Sequence, residues 1–205
     1  LTAWFGIRDV GALSSDDRVL VSGAAGGVGQ MAGQFAKLEG CQVVGVAGGS
    51  EKCQYLTNDL NFDAAIDYKA EHDIELAVAQ AFPDGVDLFF DNVGGEILEA
   101  ALLHLRSSGR IVMCGRISQT AAESQFGVTN TGLLIGKRAR MQGFIVSDYN
   151  GQYDEARQWI SKKLKSGELK QRLHILDGLD AAPNALSMLF KSQNTGKLVV
   201  RVLDA

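Results

Sequence analysis

The chain has 205 residues, of which 46% are apolar, and it carries a formal net charge of −4 at pH 7. This length suits one large domain, or one and a half, and the lack of a basic excess argues against nucleic acid or an anionic membrane as a partner. No apolar run reaches the roughly 18 residues of a membrane helix, and the first residues lack the pattern of a secretion signal. The three cysteines and three histidines are dispersed without zinc-site spacing, which predicts reduced thiols, no metal centre and a cytoplasmic protein.

The first predicted elements are a helix, a strand, a glycine-rich turn and a second helix. The apolar stretch from Thr2 to Ile7 predicts a helix that continues from a preceding segment. A β-branched run at 18–22 leads into Gly23-Ala24-Ala25-Gly26-Gly27-Val28-Gly29, and an apolar helical face follows over 28–38. This context predicts phosphate binding, because N–H groups at a helix start attract anions and a Cβ in the turn would block their approach.

The glycine spacing departs slightly from the dinucleotide fingerprint. Gly26 and Gly29 fill its second and third glycine positions, Ala24 stands at the first, and Gly23 can supply the tight turn. No Gly-Lys-Ser/Thr follows, which argues against a mononucleotide P-loop. The context favours dinucleotide binding, and the alternative is a turn that only lets strand and helix pack closely.

The end of the second predicted strand, 42–47, indicates which cofactor the site takes. An NAD site places an acidic residue there, about 20 residues beyond the glycines, to bind the ribose hydroxyls. This chain instead has Gly48-Gly49-Ser50-Glu51-Lys52, in which Ser50 and Lys52 offer a hydroxyl and a cation to an adenosine 2′-phosphate. The residues favour NADP(H) over NAD(H), and the alternative for Lys52 is a solvated lysine of the next helix.

Strands and helices then alternate along the chain. The predicted elements are helix 51–60, strand 64–68, helix 73–82, strand 86–91, helix 96–105 and strand 110–115. This rhythm predicts an α/β fold, a Rossmann-type doubly wound parallel sheet of about six strands, in which ligands bind at the carboxyl ends of the strands. The residues at or just past those ends are Gly26, Ser50, Tyr68, Asn92 and Cys114.

Beyond residue 116 the alternation loosens and then resumes. The predicted elements are helix 131–137, strand 141–146, helices 153–166 and 179–191, and a closing strand from Lys197 to Leu203. We therefore expect a dinucleotide-binding domain over 1–150, with C-terminal helices and a closing strand over 151–205 that pack on it.

Several short motifs give the chain a resemblance to one family. They lie at 22–29, 36–41, 51–52, 90–95, 114–119, 141–146 and 194–197. With these motifs in this order, the chain resembles the cofactor domain of the medium-chain dehydrogenases/reductases. Within that superfamily it is similar to the zinc-independent leukotriene B4 dehydrogenase group, which includes prostaglandin, alkenal double-bond and curcumin reductases.

The resemblance implies an NADPH-dependent oxidoreductase that reduces the C=C bond of α,β-unsaturated ketones or aldehydes by hydride transfer. The alternative within the superfamily is an NADPH quinone reductase, which shares the glycine loop. The alternative from another class is a non-catalytic NADP-binding module. The family commonly has a tyrosine where this chain has Thr120, so no catalytic residue is assigned.

The resemblance also implies roles for individual residues. Those that would bind the pyrophosphate are Gly26, Gly27, Val28 and Gly29. Those that would bind the 2′-phosphate are Ser50, Lys52 and Tyr68. Those that would contact the rest of the cofactor are Asn92, Cys114, Gly115, Ile117, Ser118, Phe144, Ile145, Val146 and Asn194. The structural alternatives are a packed ring for Tyr68, a turn former for Asn92 and a small buried hydrophobe for Cys114.

Two further expectations follow from the same resemblance. The family's N-terminal catalytic domain is not in this chain, so the closing strand would return to an absent domain and the isolated chain is expected to be inactive. Relatives pair through the strand that corresponds to 141–146, which predicts a homodimer through that strand.

Overall fold

Six parallel strands form the central sheet of the molecule, which the computed structural model describes over residues 1–120 and 127–202. The strands are β1 (Arg18–Ser22), β2 (Gln42–Ala47), β3 (Ala64–Asp67), β4 (Val86–Asp91), β5 (Leu105–Met113) and β6 (Arg140–Gly143). Their order is β3-β2-β1-β4-β5-β6 and every neighbouring pair is parallel. The prediction of a Rossmann-type sheet of about six strands is therefore confirmed. The strand order reverses between β1 and β4, which is where such sheets bind ligands.

Helices cover both faces of this sheet. They are α1 (Thr2–Phe5), α2 (Gly29–Leu38), α3 (Ser50–Gln54), α4 (Ile74–Ala81), α5 (Gly95–His104), α6 (Ile117–Thr120), α7 (Leu133–Lys137), α8 (Tyr153–Lys165) and α9 (Ala182–Phe190). Wider π-helical turns extend α1 over Gly6–Val10 and α3 over Tyr55–Asp59, and 3-10 turns cover Val146–Gln152 and Leu179–Ala181. Asp73 begins α4, because its carboxylate accepts a hydrogen bond from the N–H of Leu76 at 2.9 Å.

Side chains alternate between two hydrophobic cores along each strand. Leu20 and Phe89 pack with α4 and α5 on one face, whereas Val19 and Phe90 pack with α1, α2 and α8 on the other. All four are fully buried. Full burial of each such side chain stabilises the fold by about 1.5–3 kcal/mol, so strands at the centre of the sheet are apolar on both faces.

Strands β5 and β6 differ from their predicted bounds. β5 begins at Leu105 rather than residue 110, because Leu105 pairs with Val86 and the chain then bulges out before Arg110 pairs with Leu88. β6 ends at Gly143, so the predicted strand over 141–146 is wrong for its last three residues. Its partner β5 ends at Met113, opposite Gly143, which leaves the following residues without a ladder to join.

A second, two-stranded parallel sheet lies near the carboxyl end of the chain. It joins β7 (Leu173–Asp177), which the sequence analysis did not predict, to β8 (Lys197–Arg201). Leu203, the predicted end of the closing strand, lies outside the described residues. Two isolated strands are marginally stable in water, so this small sheet depends on contacts with the rest of the protein.

Two buried glutamines of α2 hold the segment that leads into β7. The side-chain amide of Gln34 donates to the carbonyl of Lys170 and accepts from its N–H, both at 2.8 Å. Gln30 makes the same pair of bonds with Arg172, at 3.3 Å to the carbonyl and 3.0 Å from the N–H. The two side chains therefore act as a short ladder that pairs α2 with alternate residues of an extended strand.

Aromatic rings join α8 to the first two helices. Trp159 lies 4.7 Å from the ring of Trp4 and 5.7 Å from that of Phe35, measured between centroids. Ala156, one turn earlier in α8, is fully buried. Among the helices of the described residues, none has both the length and the apolar character needed to cross a membrane.

Gly33 and Gly136 provide a matched test of packing against α2. A Cβ on Gly33 would overlap the ring of Phe62, which is itself buried, whereas a Cβ on Gly136 in α7 meets nothing within 4 Å. We expect Gly33→Ala to lower the free energy of unfolding by about 1–3 kcal/mol through overpacking. Gly136→Ala should leave it unchanged or raise it by up to about 1 kcal/mol, because alanine favours helix. Urea denaturation of both variants measures this, and equal effects would contradict the packing argument.

Candidate functional site

A cavity of about 820 Å³ opens at the carboxyl ends of the central strands. The predicted site residues on its wall are Gly26, Gly27, Val28, Gly29, Lys52, Tyr68, Asn92, Gly115, Ile117, Ser118 and Asn194. Wall residues that the sequence analysis did not assign to the site include Ile74, Gly94, Glu96, Phe190, Ser192 and Lys197. The cavity therefore joins the glycine loop to the ends of β2, β4 and β5 and to the start of β8.

Close contacts limit the side chain that two glycines of the loop could carry. A Cβ on Gly29 would collide with the carbonyl oxygen of Gly23, because α2 starts directly against the end of β1. A Cβ on Gly27 would lie 2.6 Å from Cδ of Lys197, whose side chain crosses the loop. Backbone therefore excludes a side chain at Gly29, whereas one at Gly27 would have to displace the stem of Lys197.

The glycine loop also leaves a row of hydrogen-bond donors unused. Gly26 donates its N–H to the carbonyl of Gly23 at 2.9 Å, and Gln30 donates to the carbonyl of Gly26 at 3.0 Å. Across residues 1–120 and 127–202, no oxygen accepts a hydrogen bond from the N–H groups of Gly27, Val28 or Gly29. Three free donors at the start of a ten-residue helix favour an anion, since the positive end of the helix dipole lies at the same place.

A lysine and a tyrosine both line the cavity beyond the end of β2. Lys52 Nζ donates to the carbonyl of Ser192 at 2.6 Å, and the ring of Tyr68 lies against Gly48. Burial, and secondarily the positive charge of Lys69, lower the pKa of Lys52. Ser50 is the first residue of α3 and is exposed, and it is not on the cavity wall.

A buried hydrogen-bond network joins the ends of β1 and β4. Ser22 Oγ donates to Asp91 Oδ1 at 2.7 Å and accepts from the N–H of Asn92 at 2.8 Å. Asp91 also accepts from the N–H groups of Val93 and Gly94. Burial raises the pKa of Asp91, and the bonds from Gly94, Ser22 and Val93 oppose that rise.

The same network fixes the orientation of Asn92 at the cavity. Its side-chain NH₂ donates to the carbonyl of Ser22 at 2.7 Å, so its amide nitrogen is engaged with the protein. Two roles were predicted for Asn92, a turn former and a contact for the cofactor. The geometry is compatible with both, because its side chain bonds to the backbone at the end of β1 and the residue also lines the cavity.

The remaining predicted residues do not reach the cavity wall. Cys114 is partly buried, and burial, followed by the charge of Asp91, raises the pKa of its thiol to about 11. Phe144 and Val146 pack against the core that contains α1 and α2, while Ile145 is 66% exposed. The side chain of Thr120 lies outside the described part of the protein.

The segment before β8 lies directly on the glycine loop. Asn194 donates its side-chain NH₂ to the carbonyl of Gly196 at 2.9 Å. The N–H of Gly196 donates to the carbonyl of Ala25 at 2.8 Å, so the two segments pair as neighbouring strands do. The sequence analysis missed Lys197, although it is part of the motif at 194–197 on which the resemblance rests.

Metal-binding side chains do not cluster in the described ranges, where no three residues of the types His, Cys, Asp and Glu stand close enough to hold an ion. Cys41, Cys53 and Cys114 are all free thiols.

Comparison with known proteins shows the family to which this chain belongs. The family model described as zinc-binding dehydrogenase matches residues 27–162. The 2-alkenal reductase (NADP(+)-dependent) of Nicotiana tabacum is 44% identical over 98% of this chain, and the NADPH-dependent curcumin reductase of Escherichia coli K12 is 40% identical over 98%. The chain spans only 59% and 60% of the length of these two relatives.

The chain is also similar in fold and sequence to a protein of known structure. The crystal structure of CurA from Vibrio vulnificus in complex with NADPH superimposes with a TM-score of 0.93 at 38% identity, over 100% of this chain and 62% of that one. The chain therefore belongs to the zinc-binding dehydrogenase family, within the zinc-independent medium-chain group of alkenal, curcumin and prostaglandin reductases.

Proposed function

We propose that the cavity binds NADP(H) and that the protein carrying this chain reduces the C=C bond of α,β-unsaturated ketones or aldehydes. The observation that carries the proposal is the row of unused N–H donors from Gly27 to Gly29 on the cavity wall. Backbone donors of this kind suit a pyrophosphate. The volume of about 820 Å³ lies in the range of small-molecule and cofactor sites.

The 2′-phosphate is proposed to lie beside Lys52 and Tyr68. An ammonium group and a phenol on one wall can donate charge-assisted hydrogen bonds to a dianion. Lys52 now donates to a carbonyl that is neutral, so a phosphate would compete for its proton donors at a favourable electrostatic gain. Ser50 would have to turn inward to contribute, because it is exposed and off the wall.

The cofactor, when bound, supplies the hydride for the β-carbon of the substrate. The described residues of this chain would bind and orient that cofactor. Gly94 and Gly115 keep part of the wall free of side chains, and Asn92 is held there by Ser22. The relatives described above are named as reductases of alkenals and curcumin, which supports enones over quinones as substrates.

We also infer the protein's organisation from the same features. Residues 1–150 are proposed to form the NADP-binding domain, with 151–205 packed on it through contacts such as Trp159 with Trp4. β6 is the edge strand of the central sheet, and we propose that the stretch 141–146 pairs with the same stretch of a second copy. Ile145, within this stretch, is exposed. Free thiols at all three cysteines support a cytoplasmic location.

Lys52→Ala tests the proposed phosphate contact. We expect NADPH affinity to fall by about tenfold to a hundredfold, the equivalent of one lost charge-assisted contact, while NADH affinity stays unchanged. Titration calorimetry with both nucleotides measures this. Lys162→Ala is the matched control, because it removes the same charge from the exposed face of α8, away from the cavity. An equal loss of affinity for NADPH and NADH would show that Lys52 contacts a part of the cofactor other than the 2′-phosphate.

Substrate class is tested in the full-length protein that contains this chain. NADPH should be consumed with an α,β-unsaturated aldehyde and not with the saturated aldehyde of the same length, because only the former accepts a hydride at its β-carbon. The absorbance of NADPH follows the reaction. Consumption with a quinone and not with the enal would favour the quinone reductase, and NADPH binding without turnover of either would favour a non-catalytic module.

Ile145→Asp tests the proposed pairing of edge strands. Ile145 and Leu179 are exposed to nearly the same extent, 66% and 65%, but only Ile145 follows the edge strand β6. We expect the unsubstituted protein to sediment as a dimer, Ile145→Asp to shift it to monomer through burial of a charge, and Leu179→Asp to leave it dimeric. Sedimentation velocity that shows only monomer before any substitution would reject the interface.

A further inference from the structure

Lys197, the first residue of β8, crosses the glycine loop from the far end of the chain. Its Cδ, Cβ and Cα lie 2.6, 3.3 and 3.4 Å from the point that a Cβ of Gly27 would occupy. The stem of Lys197 therefore lies against Gly27, and a side chain at position 27 would have to displace it. Lys197 is also on the wall of the cavity.

Hydrogen bonds fix the backbone of Lys197 on both sides. Its own N–H donates to the carbonyl of Arg172 at 2.9 Å, and the preceding N–H of Gly196 donates to the carbonyl of Ala25 at 2.8 Å. Arg172 is held in turn by the side chain of Gln30, and the hydroxyl of Tyr55 donates to Gln30 Oε1 at 2.8 Å. The position of Lys197 therefore depends on α2, because Gln30 of that helix binds Arg172 and Arg172 binds the backbone of Lys197.

The charge of Lys197 has no other assignment in the described part of the protein. There, no carboxylate pairs with its ammonium group and no carbonyl accepts a hydrogen bond from it, whereas Lys52 already donates to Ser192. The glycine loop contains no cation of its own, and three unused N–H donors follow Gly26. Lys197 is exposed, and an exposed ammonium beside free N–H donors can bind a phosphate through charge-assisted hydrogen bonds.

We propose that Lys197 is a pyrophosphate-binding residue, whose ammonium group neutralises the bridging phosphates over the N–H groups of Gly27 to Gly29. This inference rests on the proposed function, because it names a further contact for the same dinucleotide. It divides the work between two lysines: Lys52 binds the 2′-phosphate and Lys197 the pyrophosphate. The glycine loop itself has no charged residue, so its cation would be Lys197 of β8.

Ligands that carry one phosphate group or the other separate these roles. ADP-ribose has the pyrophosphate without the 2′-phosphate, and 2′-AMP has the 2′-phosphate without the pyrophosphate. Lys197→Met keeps a stem over Gly27 and removes the charge, and Lys197→Arg keeps the charge. Affinities measured by titration calorimetry at two salt concentrations, with thermal unfolding as the check on folding, complete the design.

We expect Lys197→Met to weaken NADPH, NADH and ADP-ribose by a similar factor, on the order of tenfold, and to leave 2′-AMP unchanged. Lys197→Arg should restore most of that loss, and the salt dependence of ADP-ribose binding should be smaller in the methionine variant. Lys52→Ala should give the opposite pattern, with 2′-AMP weakened and ADP-ribose unchanged.

Four results would overturn the proposal. Unchanged ADP-ribose affinity in a folded Lys197→Met protein would show that the charge does not reach the pyrophosphate. A parallel loss of 2′-AMP affinity would show that the substitution damages the whole cavity. If the unsubstituted protein binds none of the four ligands, the proposed function fails as well, whereas NADPH binding that is indifferent to Lys197→Met and Lys197→Arg rejects only the role of Lys197.

Discussion

Backbone packed directly on backbone at residues 23–29 is the constraint on which the rest of this structure depends. Three segments converge there: the end of β1, the start of α2 and the chain that enters β8. They can meet only because Gly29 lies against the carbonyl of Gly23 and Gly27 lies beneath Lys197. A side chain at Gly29 would push the start of α2 away from the end of β1, and one at Gly27 would displace the stem of Lys197. The N–H groups at the start of α2 are unused because no preceding helical turn supplies acceptors, and glycine at 27 and 29 places no side chain over them.

Two glutamines of α2 fix the C-terminal segment relative to the glycine loop. Gln30 and Gln34 bury both their amide groups, and each satisfies one donor and one acceptor of an extended strand. Loss of one amide would remove two hydrogen bonds to partly buried backbone groups, each worth about 0.5–1.5 kcal/mol. Since β7 and β8 form a sheet too small to stand alone, their position over the glycine loop depends on these two side chains. Asn194 and Lys197 reach the cavity as a consequence.

The central strands were predictable because their sequences are constrained on both faces. The observed bounds of β1, β2 and β4 match the predicted ones, as runs buried on two faces must be apolar throughout. The end of β6 was not predictable from its own residues, because Phe144 to Val146 is as apolar as a strand and only the end of β5 stops the ladder. β7 was missed for a related reason. Leu173 and Ile175 are about half exposed, and what holds the segment is a pair of glutamines distant in sequence, which hydrophobic periodicity does not detect.

The cavity wall was predictable where the backbone determines it and less so where side chains do. Positions at the carboxyl ends of strands, such as Asn92 and Gly115, follow from topology alone. Lys197 escaped notice because its contact with Gly27 spans nearly the whole chain, although the motif that contains it was recognised. Cys114 stands at a strand end but off the wall, and its raised pKa of about 11 keeps the thiol protonated at neutral pH. Under the proposed function, this leaves the described wall with cations and N–H donors placed for phosphates and no thiolate beside the cofactor. The charges of Lys52 and Lys197, on a chain that is acidic overall, then concentrate attraction at the cavity where we propose that the dinucleotide binds.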